Sequence, residues 1–180
     1  MKTTWISDIL EGKHDGQKVE LKGWVKRSRG SNKIRFVVLR DSTGSIQCVA
    51  KKDAVGEECF ENVKSALIES SLIIHGLANP DERADGGYEI IVQDVEIVGP
   101  VNPDTPFPIT ESAMVAADGG ETEFLLDNRH LYLRTTRMTT MLKLRSSVFG
   151  AIHSYFRDLD FLEYQACLLY TSPSPRDCLL

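Results

Sequence analysis

The sequence predicts a mainly β protein with added helices: a five-stranded barrel over residues 1–100, a linker over 101–120 and the start of a helical domain over 121–166. Three observations carry this. Short segments alternate apolar and polar residues, with a single helical segment between the third and fourth of them. Four prolines, Pro100, Pro103, Pro106 and Pro108, then break all regular structure. From Arg137 onward apolar residues recur at three- and four-residue steps, the period of a long helix.

In the first strand, from Lys18, Val19, Leu21 and Val25 share one parity with Gly23, while Glu20, Lys22, Trp24 and Lys26 take the other. That is the period of a half-buried strand. The second run, Ile34 to Leu39, is apolar on both parities. If Val37 and Leu39 face a core, Ile34, Phe36 and Val38 face the opposite side. Two accounts stay open: a strand covered on both faces, or an aromatic platform set among cations on which a nucleic-acid base could stack.

Asp41-Ser42-Thr43-Gly44 supplies turn chemistry, and Ser45 to Ala50 reads as a third strand with Ile46 and Cys48 inward and Gln47 outward, on the side of Phe36. A helix is expected over Glu57 to Ser70, with Phe60, Val63, Ala66 and Leu67 on its apolar face. The fourth strand is expected at Leu72 to Leu77 and the fifth at Tyr88 to Val98, joined by a polar loop from Asn79 to Gly87. Three strands, a helix and two strands is the element order of an OB fold, which binds oligonucleotides on the face of its second and third strands. Phe36 and Gln47 fall on that face.

Charge points the same way. Between Lys18 and Arg40 there are eight Lys and Arg and one acid, Glu20, in a chain of net charge -5. So local a positive field fits a polyanion site, although a solvated sheet face has the same composition.

Other classes are disfavoured. A hydrophobic content of 42% and a charged content of 26% are ordinary for a globular protein. No apolar run reaches the ~18–20 residues that span a bilayer, and the amino terminus lacks a signal-peptide core, so a cytoplasmic protein without a membrane partner is expected. Cys48, Cys59, Cys167 and Cys178 form no zinc spacing, and no histidine pair completes one, so no metal ligands are assigned. There is no phosphate-binding loop and no nucleophile–base pair; no catalytic residue is assigned.

Beyond the prolines, Asp118-Gly119-Gly120 marks a further break, Glu121 to Asn128 a short helix and Arg137 to Leu159 a longer one. In the long helix Met141, Leu144, Val148, Ile152 and Phe156 make one stripe with Phe149 beside it, which suits either a core or a subunit interface.

Gly23-Trp24-Val25, Arg29, Phe36-Val37-Val38-Leu39-Arg40-Asp41, Gly44 and Gln47 resemble the anticodon-binding barrel of class II aspartyl-, asparaginyl- and lysyl-tRNA synthetases. Phe124 to Arg134 is similar to the entry into the catalytic domain of the asparaginyl enzymes, with His130 and Tyr132 contrary to the aspartyl pattern. The resemblance implies that Phe36 stacks on the central anticodon uracil, that Gln47 and Arg29 hydrogen-bond its edge, and that Glu89 reads a guanine, or its modified form, at the first anticodon position. It implies a tRNA partner. For the complete enzyme it implies ATP, magnesium and a homodimer built on the helix from Arg137. It places the ATP-binding arginines beyond this chain, leaving Arg134 and Arg137 as surface or hinge cations and no cofactor here. The resemblance runs from Met1 to about Ala166. Residues 167–180 look like the translation of a sequencing adapter and are set aside. An aspartyl enzyme that charges both tRNAs, and a free-standing OB-fold single-strand binder, are the alternatives.

Overall fold

A computed structural model of the chain describes residues 4–109 and 122–164. Two compact units divide at Pro108. The first is a closed five-stranded barrel in the order β1-β2-β3-β5-β4, with β1 at Lys18–Gly30, β2 at Ile34–Arg40, β3 at Ser45–Lys51, β4 at Ser71–Pro80 and β5 at Tyr88–Gly99. The β3–β5 ladder is parallel and the other four are antiparallel. The expected element order is therefore the observed one. So is the expected parity: Val19, Leu21, Val25, Val37, Leu39, Ile46 and Cys48 are buried inside the barrel. Burial pushes the Cys48 thiol up to about 12, so it is an inert part of that core.

β1 serves two partners. Its first half pairs with β4 up to Trp24↔Ser71, and its second half with β2 from Trp24↔Arg40. At this pivot the strands approach so closely that a Cβ on Gly23 would lie 2.4 Å from the Arg40 carbonyl oxygen, which only glycine tolerates.

Two features of this unit differ from the sequence reading. A short helix, α1 at Ile6–Leu10, was not expected, yet Ile6 and Ile9 are fully buried in the barrel core. It has no side-chain cap of its own; the Asp41 carboxylate accepts from the Ile6 N–H at 2.9 Å and the Thr43 hydroxyl from the Ser7 N–H at 3.1 Å. Next, the helix expected over Glu57 to Ser70 is shorter. After a single turn, α2 at Lys52–Val55, α3 runs over Glu57–Ser65 with Phe60 and Val63 buried. The chain leaves the helix at Ala66, and Leu67 is not helical, because the next residues are claimed by β1: the Glu69 N–H donates to the Val25 carbonyl at 2.7 Å and the Val25 N–H to the Ser70 carbonyl at 2.9 Å. Glu69 takes a left-handed φ of 70° to do so.

The second unit is helical where it is described. α4 spans Thr122–Asp127, α5 Arg129–Tyr132 and α6 Thr136–Asp158. The sequence reading had no counterpart of α5, which is too short for a periodic signal. The Thr135 hydroxyl caps α6 by accepting from the Met138 N–H at 3.3 Å. The break at Asp118-Gly119-Gly120 and residues 167–180 lie outside the described residues.

A candidate nucleic-acid interface on the outer face of the barrel

One irregularity builds the site. Up to Val25 the odd residues of β1 face inward, and Arg27 and Arg29 would follow them into the core. Instead the β1–β2 register slips by one between Val25 and Arg27, leaving Lys26 as a bulge. A one-residue slip reverses every later side chain. Arg27 now pairs with Val38 and Arg29 with Phe36, both on the outer parity.

The four residues singled out in the sequence come together on this outer face. The Arg29 guanidinium lies 5.6 Å from the centroid of the Phe36 ring, cation–π geometry worth about 0.5–1 kcal/mol at an exposed site. It also reaches the Gln47 side chain, donating to Oε1 at 3.4 Å. Gln47 stands beside Glu89 in the parallel ladder. The Asn79 amide, Glu89's partner on β4, donates to Glu89 Oε1 at 3.5 Å. Phe36, Gln47 and Glu89 are each half-buried, and Arg29 is exposed.

The hydrogen-bonding capacity follows from this arrangement. With Arg29 at its oxygen, Gln47 has its amide N–H₂ to donate and a further oxygen lone pair to accept with. On its β2 side is a flat ring able to stack, and on its β5 side a carboxylate that only accepts. Asn79 was missed in the sequence, where it reads as the first residue of a polar loop; its register partner is visible only once β4 and β5 are paired. Arg83 in the same loop is held by Asp81 through Nε and an Nη at 3.0 and 2.9 Å.

The positive field is narrower than the charge count suggests. Arg40 is bound to both oxygens of Glu69 at 3.0 Å. Lys22 pairs with Glu20 at 3.1 Å, which holds that carboxyl below its usual range. Arg35 takes the inner parity and donates to the Lys64 carbonyl in the last turn of α3 at 3.4 Å, where a cation suits the helix dipole. Lys26, Arg27 and Arg29 lie in succession along β1 beside Phe36.

Among the described residues no group of three His, Cys, Asp or Glu could hold a metal ion, and no helix is long and apolar enough to cross a membrane. Arg134 and Arg137 are exposed.

The fold and this face define a class: an OB-fold nucleic-acid-binding domain followed by the first helices of a class II synthetase. Residues 19–98 match the family described as OB-fold nucleic acid binding domain, tRNA anti-codon, and residues 121–178 match tRNA synthetases class II (D, K and N). Over most of its length the chain is a homologue of the N-terminal third of asparaginyl-tRNA synthetases. It is 39% identical to an asparagine--tRNA ligase of Thermoplasma acidophilum over 89% of this chain and 35% of that protein. The corresponding ligase of Symbiobacterium thermophilum is 39% identical over 92% of this chain and 36% of that protein. The asparaginyl-tRNA synthetase of Pyrococcus horikoshii, solved with asparaginyl-adenylate, superposes with a TM-score of 0.81 at 33% identity, over 93% of this chain and 37% of that one. An aspartyl-tRNA synthetase of Entamoeba histolytica, at 19% identity and a TM-score of 0.75, shares the fold. The chain thus spans about a third of the length of these relatives and only part of the catalytic domain.

Proposed function

We propose that the barrel reads the anticodon of an asparagine tRNA and that the complete enzyme joins asparagine to that tRNA. Four side chains of complementary chemistry on one outer face support this reading. Phe36 stacks on the central uracil. Gln47 and Arg29 serve its edge, since uracil needs one acceptor and further donors and an amide supplies both kinds. Glu89 accepts from the two donors on guanine's Watson–Crick edge at the first anticodon position, and Asn79 steadies it. A free-standing single-strand binder explains the ring and the cations but not a carboxylate beside them.

In the complete enzyme ATP with magnesium activates asparagine, and α6 builds a homodimer. The chain spans about a third of its relatives' length and only part of the catalytic domain. On this reading the chain alone binds RNA without activating the amino acid, and the parent works in the cytoplasm.

The test is titration of a labelled anticodon stem-loop, with guanine and uracil as its first two anticodon bases, at two salt concentrations. Affinity falls steeply with salt as phosphate contacts release counterions. Glu89→Gln loses most of the preference for guanine over adenine at the first position, by analogy with the ~1–3 kcal/mol of a bidentate base contact. Undetectable or salt-independent binding, or an unchanged preference, overturns the reading.

A further inference from the structure

OB folds contact about 4–16 nucleotides, whereas the four residues above account for two bases. The outer face continues past them. Gln47 lies across from Val38, which pairs with Arg27; the next outer position on β2 is Arg40, and its partner on β1 is Trp24. Trp24 is 43% exposed, although burying an indole is among the most favourable transfers a core can make. It lies four residues along β2 from Phe36, about 13 Å at the ~3.3 Å rise of a strand.

Charge is arranged to suit a nucleotide chain along this path. Beside the indole, the cations of Arg40 and Lys22 are each offset by a carboxylate, Glu69 and Glu20. Between the two rings the bulge sets Lys26 and Arg27 in succession. A neutral base finds its counterpart in the neutral surroundings of the ring, and phosphates find theirs in Lys26 at the bulge and in Arg29 beside Phe36. Resting on the anticodon reading above, we infer that Trp24 is a second stacking platform, which takes a base of the same RNA beyond the two that Phe36 and Glu89 contact.

The chain has two tryptophans, Trp5 and Trp24, so Trp5→Phe leaves Trp24 as the sole indole reporter. Titrating that protein with the anticodon stem-loop quenches its fluorescence to saturation. Trp24→Ala weakens binding about 5- to 150-fold, the range expected for one stacked base, while Trp24→Phe retains most of the affinity. Neither change alters the preference for guanine at the first position. If the stem-loop binds and Phe36→Ala weakens it, but Trp24 is not quenched and Trp24→Ala binds as tightly as the parent, the second platform is overturned and the anticodon reading stands. If no stem-loop titrates at all, the anticodon reading has failed and the platform falls with it. The fluorescence experiment leaves position 24 intact, so it decides the matter even where Trp24→Ala folds poorly.

Discussion

The barrel and the helix α6 draw on the same kind of residues and treat them in opposite ways. Leu39 and Ile90 are completely buried by strands that close on one another. Leu144, Val148 and Ile152, at helical spacing, stay 65%, 49% and 47% exposed. A closed sheet has an inside, and its apolar parity is satisfied without help. A single amphipathic helix has only a stripe, and that stripe needs a surface supplied from elsewhere. Hydrophobic periodicity therefore states which side chains want cover, but not whether the chain at hand provides it. In relatives roughly three times as long, more chain is present to do so.

The largest effect that can break this comparison is on folding. Leu39→Ala should destabilise the barrel by about 2–5 kcal/mol. Leu144→Ala, which trims a largely exposed side chain, should change stability by no more than ~0.5 kcal/mol. Denaturant midpoints read by circular dichroism check both. Equal losses at the two positions would show that α6 is packed as firmly as the barrel.

A smaller effect sharpens the contrast within the barrel itself. Phe36 is as apolar as its neighbours Val37 and Leu39 but points outward. Phe36→Ala should weaken stem-loop binding by about 1–3 kcal/mol and leave the unfolding midpoint nearly in place. A loss of about 3–5 kcal/mol of stability with unchanged affinity would mean that the ring belongs to a core instead.

The smallest effect concerns the carboxyl-terminal residues. Deleting residues 167–180 should alter neither the unfolding midpoint of the barrel nor its affinity for RNA, because the site lies wholly on the strands of the barrel. A measurable change in either would give those residues a part in the protein.

Much of this was legible in the residue order. Period-two alternation in Val19, Leu21 and Val25, the double-sided run from Ile34, and the turn at Asp41 to Gly44 were enough to set out the strands, and Phe36 and Gln47 then fell on one face by parity alone. Glu89 was assigned from resemblance, and the ladder that sets it beside Gln47 is long-range and invisible to local pattern. The short helices were not legible: α1 has five residues, and its amide donors are satisfied by Asp41 and Thr43, some 35 residues away.

By itself the sequence determined where the strands lie along the chain, the buried parity and the chemistry of the exposed side chains, because these depend on local periodicity and residue type. Which cations face the site was decided only by tertiary structure. Arg27 and Arg29 share a parity with the buried Val25, and a reading by alternation alone would bury them. The bulge at Lys26, together with the return of Glu69 and Ser70 to the backbone of Val25, turns them outward. Arg35 and Arg40, equally basic in sequence, are drawn to the end of α3 and to Glu69. A one-residue slip costs little locally, yet it reverses the direction of every side chain that follows, and it is fixed by partners that pattern along the chain does not reveal.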